Sequence, residues 1–224
     1  MALRPGWRSS AWRSCADAGL SAAPGGKGEG MALIPAASVP LSKVGRAASD
    51  IGLAGLLGGN LFGRLALHPS VTEISNPEER GRLVNAAWRR YGTIQSLSLL
   101  AVTGGWVGAR LNEAGDDKLS PVERRLARGK DVLVGVVAVT GLATAAEGVR
   151  FSRSAPDGAV PLRDGDHAAP QASPESARLK KRVSALGAAN LAAEVALVAV
   201  NSALSQENFR RPPARRMLPR LGRV

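Results

Sequence analysis

Four stretches of this chain are apolar at almost every position: 51–67, 91–109, 132–146 and 183–206. Charge is dense before, between and after them and nearly absent within them. A helix that crosses a bilayer needs about twenty largely apolar residues at about 1.5 Å of rise each. The second stretch gives nineteen residues without a formal charge. The other three reach that length only by taking in a polar or charged residue such as Arg64 or Glu194. The pattern predicts an all-α fold, an integral membrane four-helix bundle in up-down-up-down order, with spans at about 47–68, 88–110, 131–150 and 183–206.

Three helix starts stand upstream of the apolar stretches. Asn76-Pro77-Glu78-Glu79, Ser120-Pro121-Val122-Glu123 and Ser173-Pro174-Glu175 each place a capping side chain before a proline. Proline suits the first helical turn because its missing N–H would have no partner there, and acids in that turn meet the positive end of the helix dipole. Each start precedes its apolar stretch by ten residues or more, so these helices are long and extend beyond the bilayer. In the second, Trp88 and Tyr91 stand at one end and Trp106 at the other. Trp88 and Trp106 are about 27 Å apart at helical rise, close to the hydrocarbon thickness, with amphipathic rings at both interfaces.

Composition adjusts this picture. Apolar residues are 45% of the chain, yet aromatics are only 4%, and the mean hydropathy is near zero. That average hides the segregation of charge into tails and connectors. The net charge of +12 is that of a nucleic-acid binder, but the basic residues flank apolar blocks and do not line a helix face. Anionic headgroups explain them, and no nucleic-acid partner is expected. Cys15 is the sole cysteine, and His68 and His167 are the only histidines. Neither a thiolate cluster nor a histidine-built metal or haem site is expected, and no cofactor.

Lys and Arg are distributed as six in the N-terminal tail, four, six and seven in the three connectors, and six in the C-terminal tail. Both termini are therefore predicted on the cytoplasmic side of a cell (inner) membrane, with the protein multi-pass. The bias weakens when counted from Met31, which opens a second "MAL" before the first apolar stretch. Residues 1–44 read as a disordered basic tail, with Met31 a possible start. Residues 45–209 read as the transmembrane domain, 151–172 as a flexible loop, and 210–224 as a basic tail. The loop's Arg163-Asp164-Gly165-Asp166-His167 invites a metal reading, but Pro, Gly and Ser surround it, and a solvated loop is the expectation.

Chemistry concentrates on two faces. Gly55, Gly59 and Gly63 make a doubled small-xxx-small pattern, which allows close backbone approach by another helix of the chain or by a second copy in a homo-oligomer. Beside them runs a polar stripe, Asn60, Arg64 and His68, echoed by Tyr91 and Gln95, by Glu147, and by Asn190 and Glu194. In an up-down bundle Arg64, His68, Tyr91, Gln95, Glu147 and Asn190 converge at one membrane face, and Glu194 lies deeper. Lipid-facing charge is costly, so the stripes turn inward. Arg64 is then expected to pair with Glu147 or Glu194, either to fix helix register or to build a functional site.

The order from Gly52 to Arg110 is a glycine-rich helix, a His68-Pro69 exit, a connector with Asn76-Pro77, and Trp88 and Tyr91 opening a second long helix. It resembles the anthrone oxygenase-like small four-helix bacterial membrane proteins. That resemblance implies a four-span bundle and oxidation of an aromatic polyketide, and it assigns no catalytic residue. Two functions stay open. One is a structural, accessory or small-transporter-like bundle; the other is a membrane-embedded, oxygenase-like enzyme acting on a lipophilic small molecule. The partners expected are the lipid bilayer and such a molecule.

Overall fold

A computed structural model describes residues 41–210 except position 113; the two basic tails and the start at Met31 lie outside the described residues. Four long helices carry the described chain: α1 (Leu41–Phe62), α2 (Pro77–Leu111), α3 (Pro121–Arg153) and α4 (Pro174–Phe209). The last three begin at the expected prolines. Asn76 accepts from the Glu78 N–H at 2.9 Å and Ser173 from the Ser176 N–H at 3.1 Å. Ser120 and Glu123 cap each other's backbone reciprocally. These caps satisfy donors that a helix start otherwise leaves unpaired.

α1 does not end at Phe62. It widens into a π turn, Gly63–Leu67, in which the His68 N–H reaches back to the Gly63 carbonyl, and continues through His68–Ser70 and a 3-10 turn, Val71–Glu73. Pro69 explains the widening. It has no N–H for the Leu65 carbonyl, and its ring needs room against the preceding turn.

α1 packs most extensively on α2, and α3 on α4, with thinner contact between the two pairs. The glycine stripe of α1 creates the first pairing. A β-carbon at Gly52 would stand 2.6 Å from the Ser98 carbonyl oxygen, one at Gly63 would stand 2.5 Å from Trp88, and one at Gly59 would overlap the Tyr91 ring. The close approach is therefore made within the chain, by aromatic rings and backbone of α2. The second pair is held by side chains: Thr140 donates to Asn190 at 2.7 Å, and Ser154 meets Ser176 at 2.9 Å. Leu56, Val102, Val137 and Leu197 fill the centre.

The connector from α3 to α4 differs from the flexible loop expected. Val160 and Leu162 are fully buried and form a second core with Val71, Val84 and Phe151. The Leu162 N–H donates to the Pro77 carbonyl at 3.0 Å, and Arg80 donates to the carbonyls of Ile74 and Arg163 at 2.7 and 2.6 Å. Gly158 takes a positive φ of 69°, and Gly165 lies so close to His68 that a β-carbon there would clash. The glycines and prolines serve turns and close approach, and burial of two apolar side chains anchors the segment.

α3 and α4 are long and apolar enough to cross a membrane. The ranking differs from the expectation that favoured the second stretch. Residues 91–109 are uncharged, but Tyr, Gln, Ser, Thr and Gly dilute their apolarity. Only 17% and 22% of the apolar stretches of α3 and α4 is buried inside the protein. Large apolar side chains are exposed on all four helices, among them Ile51, Leu97, Val139 and Val195 at 74, 63, 67 and 52%.

Candidate functional site

The π turn sets the first group of side chains. It turns Arg64 toward α4, where the guanidinium donates to the Ser184 carbonyl at 2.6 Å and stands 3.9 Å from Asp166. His68 is buried, with Nδ1 3.2 Å from Asp166 Oδ2. Its Nε2 accepts from the Trp88 indole N–H at 3.4 Å. That bond assigns the ring proton of a neutral His68 to Nδ1, facing the carboxylate. Burial alone would raise the Asp166 carboxyl, but His68, through its charge and its hydrogen bond, and then Arg64 and Lys180 hold it below the usual range.

Ser184 also donates to Asp166, at 3.0 Å to the carbonyl and 3.2 Å to Oδ1. Asp164 shapes the turn that presents Asp166. Its Oδ1 accepts from the N–H groups of Asp166 and His167, both at 2.8 Å, and its carboxylate also meets the His167 ring. Against the opposing effect of burial, these bonds and Arg163 hold its carboxyl down at about 2.

Deeper in the bundle Glu194 is fully buried. Asn60 Nδ2 reaches its two carboxylate oxygens at 2.8 and 3.0 Å, and Asn190 Nδ2 donates at 2.6 Å. The expected Arg64 pairing with Glu194 or Glu147 is not made. Arg64 lies one turn beyond Asn60, and since Asn60 meets residue 194 while Arg64 meets residue 184, about 15 Å of helix separates the two on α4. Glu147 pairs with Arg150 on its own helix at 3.0 Å. The Tyr91 hydroxyl donates to the Gly55 carbonyl.

Between the two helix pairs lies a cavity of about 1090 Å³, just above the usual upper size of small-molecule sites, about 1,000 Å³. Asn60, Arg64, His68, Gln95 and Asn190 line it, whereas Tyr91, Glu147 and Glu194 do not. Leu56, Leu99, Val137 and Phe151 give it apolar walls, and Asp166, Lys180 and Ser184 extend its polar end. Its exposed lining residues are Arg89, Thr93 and Ser96 on α2, Leu142, Ala145, Val149 and Arg153 on α3, and Asp157 just beyond the end of α3. The mouth is therefore the cleft between those two helices.

Sequence reasoning missed Asp166 and Lys180, both supplied by segments read as solvated. The one available signal was Lys180 itself, four residues before Ser184 and on the α4 face that continues through Gly187, Asn190 and Glu194. A separate polar group joins other parts of the bundle: Lys130 donates to Asn201 at 2.5 Å, and Asn201 to Asp50 at 2.9 Å. Among the described residues no group of three or more His, Cys, Asp or Glu side chains is arranged to hold a metal. No protein family, curated protein or solved structure matches the chain.

Proposed function

We propose that this chain is a multi-pass protein of a cell membrane, crossing four times in up-down-up-down order with both termini cytoplasmic, and that its bundle binds a lipophilic small molecule. The cavity between the helix pairs carries the reading. Its walls are largely apolar, its charged groups gather at one end, and its mouth opens between α2 and α3, where the surrounding surface is also apolar. Over residues 51–65, 91–109, 132–149 and 183–200 no Asp, Glu, Lys or Arg is exposed. Each stretch is long enough for most of a hydrocarbon layer. A water-soluble bundle would expose charge there, and patches this large mark contact with lipid or a partner.

The side-chain commitments favour binding over the enzymatic alternative. The His68 Nε2 lone pair accepts from Trp88, the Tyr91 hydroxyl is spent on a backbone carbonyl, and the Glu194 carboxylate is held by two amides. A general base needs a free lone pair within reach of its substrate, and each of these groups is already engaged.

Filling the cavity tests the reading. Gly92 and Gly148 both line it, and a β-carbon at either meets nothing within 4 Å. Gly92→Leu and Gly148→Leu should fold normally and abolish quenching of the protein's tryptophans by a brominated long-chain alcohol. Quenching undiminished in both variants would refute the cavity as the binding site.

A further inference from the structure

The cavity has one feature that selects its ligand by charge. Lys180 lines it and is 97% buried, at 3% exposure. Its ammonium lies 5.5 Å from the Phe151 ring centroid and has no hydrogen-bond acceptor among the described residues. Asp166, the carboxylate that acts most strongly on it, is divided between His68 and Arg64. The side chain is buried but lines the cavity, so an ammonium with no hydrogen bond to the protein is best compensated from the cavity itself. Burial, helped by the Arg64 charge and opposed by Asp166 and Asp164, brings Lys180 down to about 8, so it remains largely charged at neutral pH.

Around it the cavity lining carries four basic side chains, Arg64, Arg89, Arg153 and Lys180, against two acidic ones, Asp157 and Asp166. Arg64 places one terminal nitrogen on the Ser184 carbonyl and the other 3.9 Å from Asp166, too far for a hydrogen bond. These charges gather at the end where the helices leave the apolar band, while Leu99, Val137 and Leu142 line the deeper part. The charge separation matches a molecule with an ionised head and an apolar tail, held with its head at the depth of lipid headgroups.

Resting on the cavity-binding reading above, we infer that the ligand is an anionic long-chain amphiphile, a carboxylate or phosphate monoester, whose head sits between Lys180 and Arg64 and whose tail lies in the cleft between α2 and α3. Charge-assisted hydrogen bonds from an ammonium and a guanidinium supply its selectivity over a neutral molecule of the same length.

The test compares a brominated long-chain carboxylate with the matching alcohol on the full chain in nonionic detergent. The signal is bromine quenching of Trp88, which lines the cavity, taken as the difference from Trp88→Phe. The carboxylate should bind about tenfold more tightly than the alcohol. Lys180→Met should erase that preference by weakening carboxylate binding about tenfold, and Lys180→Arg should preserve it. Arg89→Gln, at the exposed rim, should reduce it about twofold to threefold; this reading stands even if Lys180→Met does not fold.

Equal affinity for acid and alcohol, or a preference that survives both Lys180→Met and Arg89→Gln, would overturn the anionic assignment and leave the cavity reading intact. Competition by inorganic phosphate at the concentration of the long-chain acid would also overturn it, as a site for soluble anions. No quenching by either amphiphile would remove the cavity reading and this inference together.

Discussion

Gly58 and Gly59 are neighbours in α1, and the bundle should distinguish them sharply. A β-carbon at Gly58 meets nothing within 4 Å; one at Gly59 would stand 2.5 Å from Cε1 of Tyr91 and closer still to Cζ and Oη. The ring cannot stay in place, and moving it also breaks the hydrogen bond from the hydroxyl to the Gly55 carbonyl. Overpacking costs about 1–3 kcal/mol, and a lost partly buried hydrogen bond about 0.5–1.5 kcal/mol. Gly59→Ala should therefore destabilise by about 1.5–4.5 kcal/mol, offset by up to about 1 kcal/mol of improved helix propensity. Gly58→Ala receives only the propensity gain and should be neutral or slightly stabilising. Thermal unfolding of the purified variants in mild detergent measures the difference. Tyr91→Leu should restore much of the loss, because it removes the clashing ring. Equal melting of Gly58→Ala and Gly59→Ala would refute the packing of α1 on α2.

Asn60→Leu should cost about 1–3 kcal/mol alone, because it removes a donor from a buried carboxylate, and less in the background of Glu194→Met; strictly additive costs in equilibrium unfolding would show that the two residues are uncoupled. The connector should be acid-sensitive through Asp164. Its carboxyl is lower when folded than its ordinary 3.8, so its contribution is fully present above pH ~4 and lost as pH falls toward about 2. Hydrogen exchange of residues 156–172 should rise over that window in the full chain, and Asp164→Ala should show the fast exchange at all pH values. Arg80→Leu should expose the same connector to protease at neutral pH, since Arg80 ties two stretches of backbone together through the carbonyls of Thr72 and Ile74 and that of Arg163; unchanged cleavage would contradict the anchoring.

What the sequence made legible was local. Caps such as Ser120 with Glu123 act over three residues, so the helix starts could be read directly. The four-residue spacing of Gly55, Gly59 and Gly63 announced a close contact, though not that Tyr91 and Trp88 would lie on it. The polar stripes were visible by helical periodicity, and Asn60, Asn190 and Glu194 meet. Arg64 went elsewhere because its partner depends on the relative depth of α1 and α4, which no single helix encodes. The connector was misread for the same reason. Val160 and Leu162 are two isolated apolar residues in a polar, glycine-containing segment, and their burial depends on Val71, Val84 and Phe151 from distant parts of the chain. With the connector misread as solvated, Asp166 could not be placed against His68.

The most direct test of the account is the environment of the exposed apolar residues on all four helices. With Cys15 replaced by serine, single nitroxide labels at Ile51, Leu97, Val139 and Val195 would be examined in proteoliposomes for collision with oxygen and with a water-soluble nickel chelate. Four membrane-crossing helices should give high oxygen and low nickel accessibility at every position, since oxygen concentrates in the hydrocarbon and the chelate is excluded from it. High nickel accessibility at Ile51 and Leu97, with the other two protected, would contradict the four-span arrangement and leave only α3 and α4 in the bilayer; high nickel accessibility at all four would contradict a membrane bundle altogether.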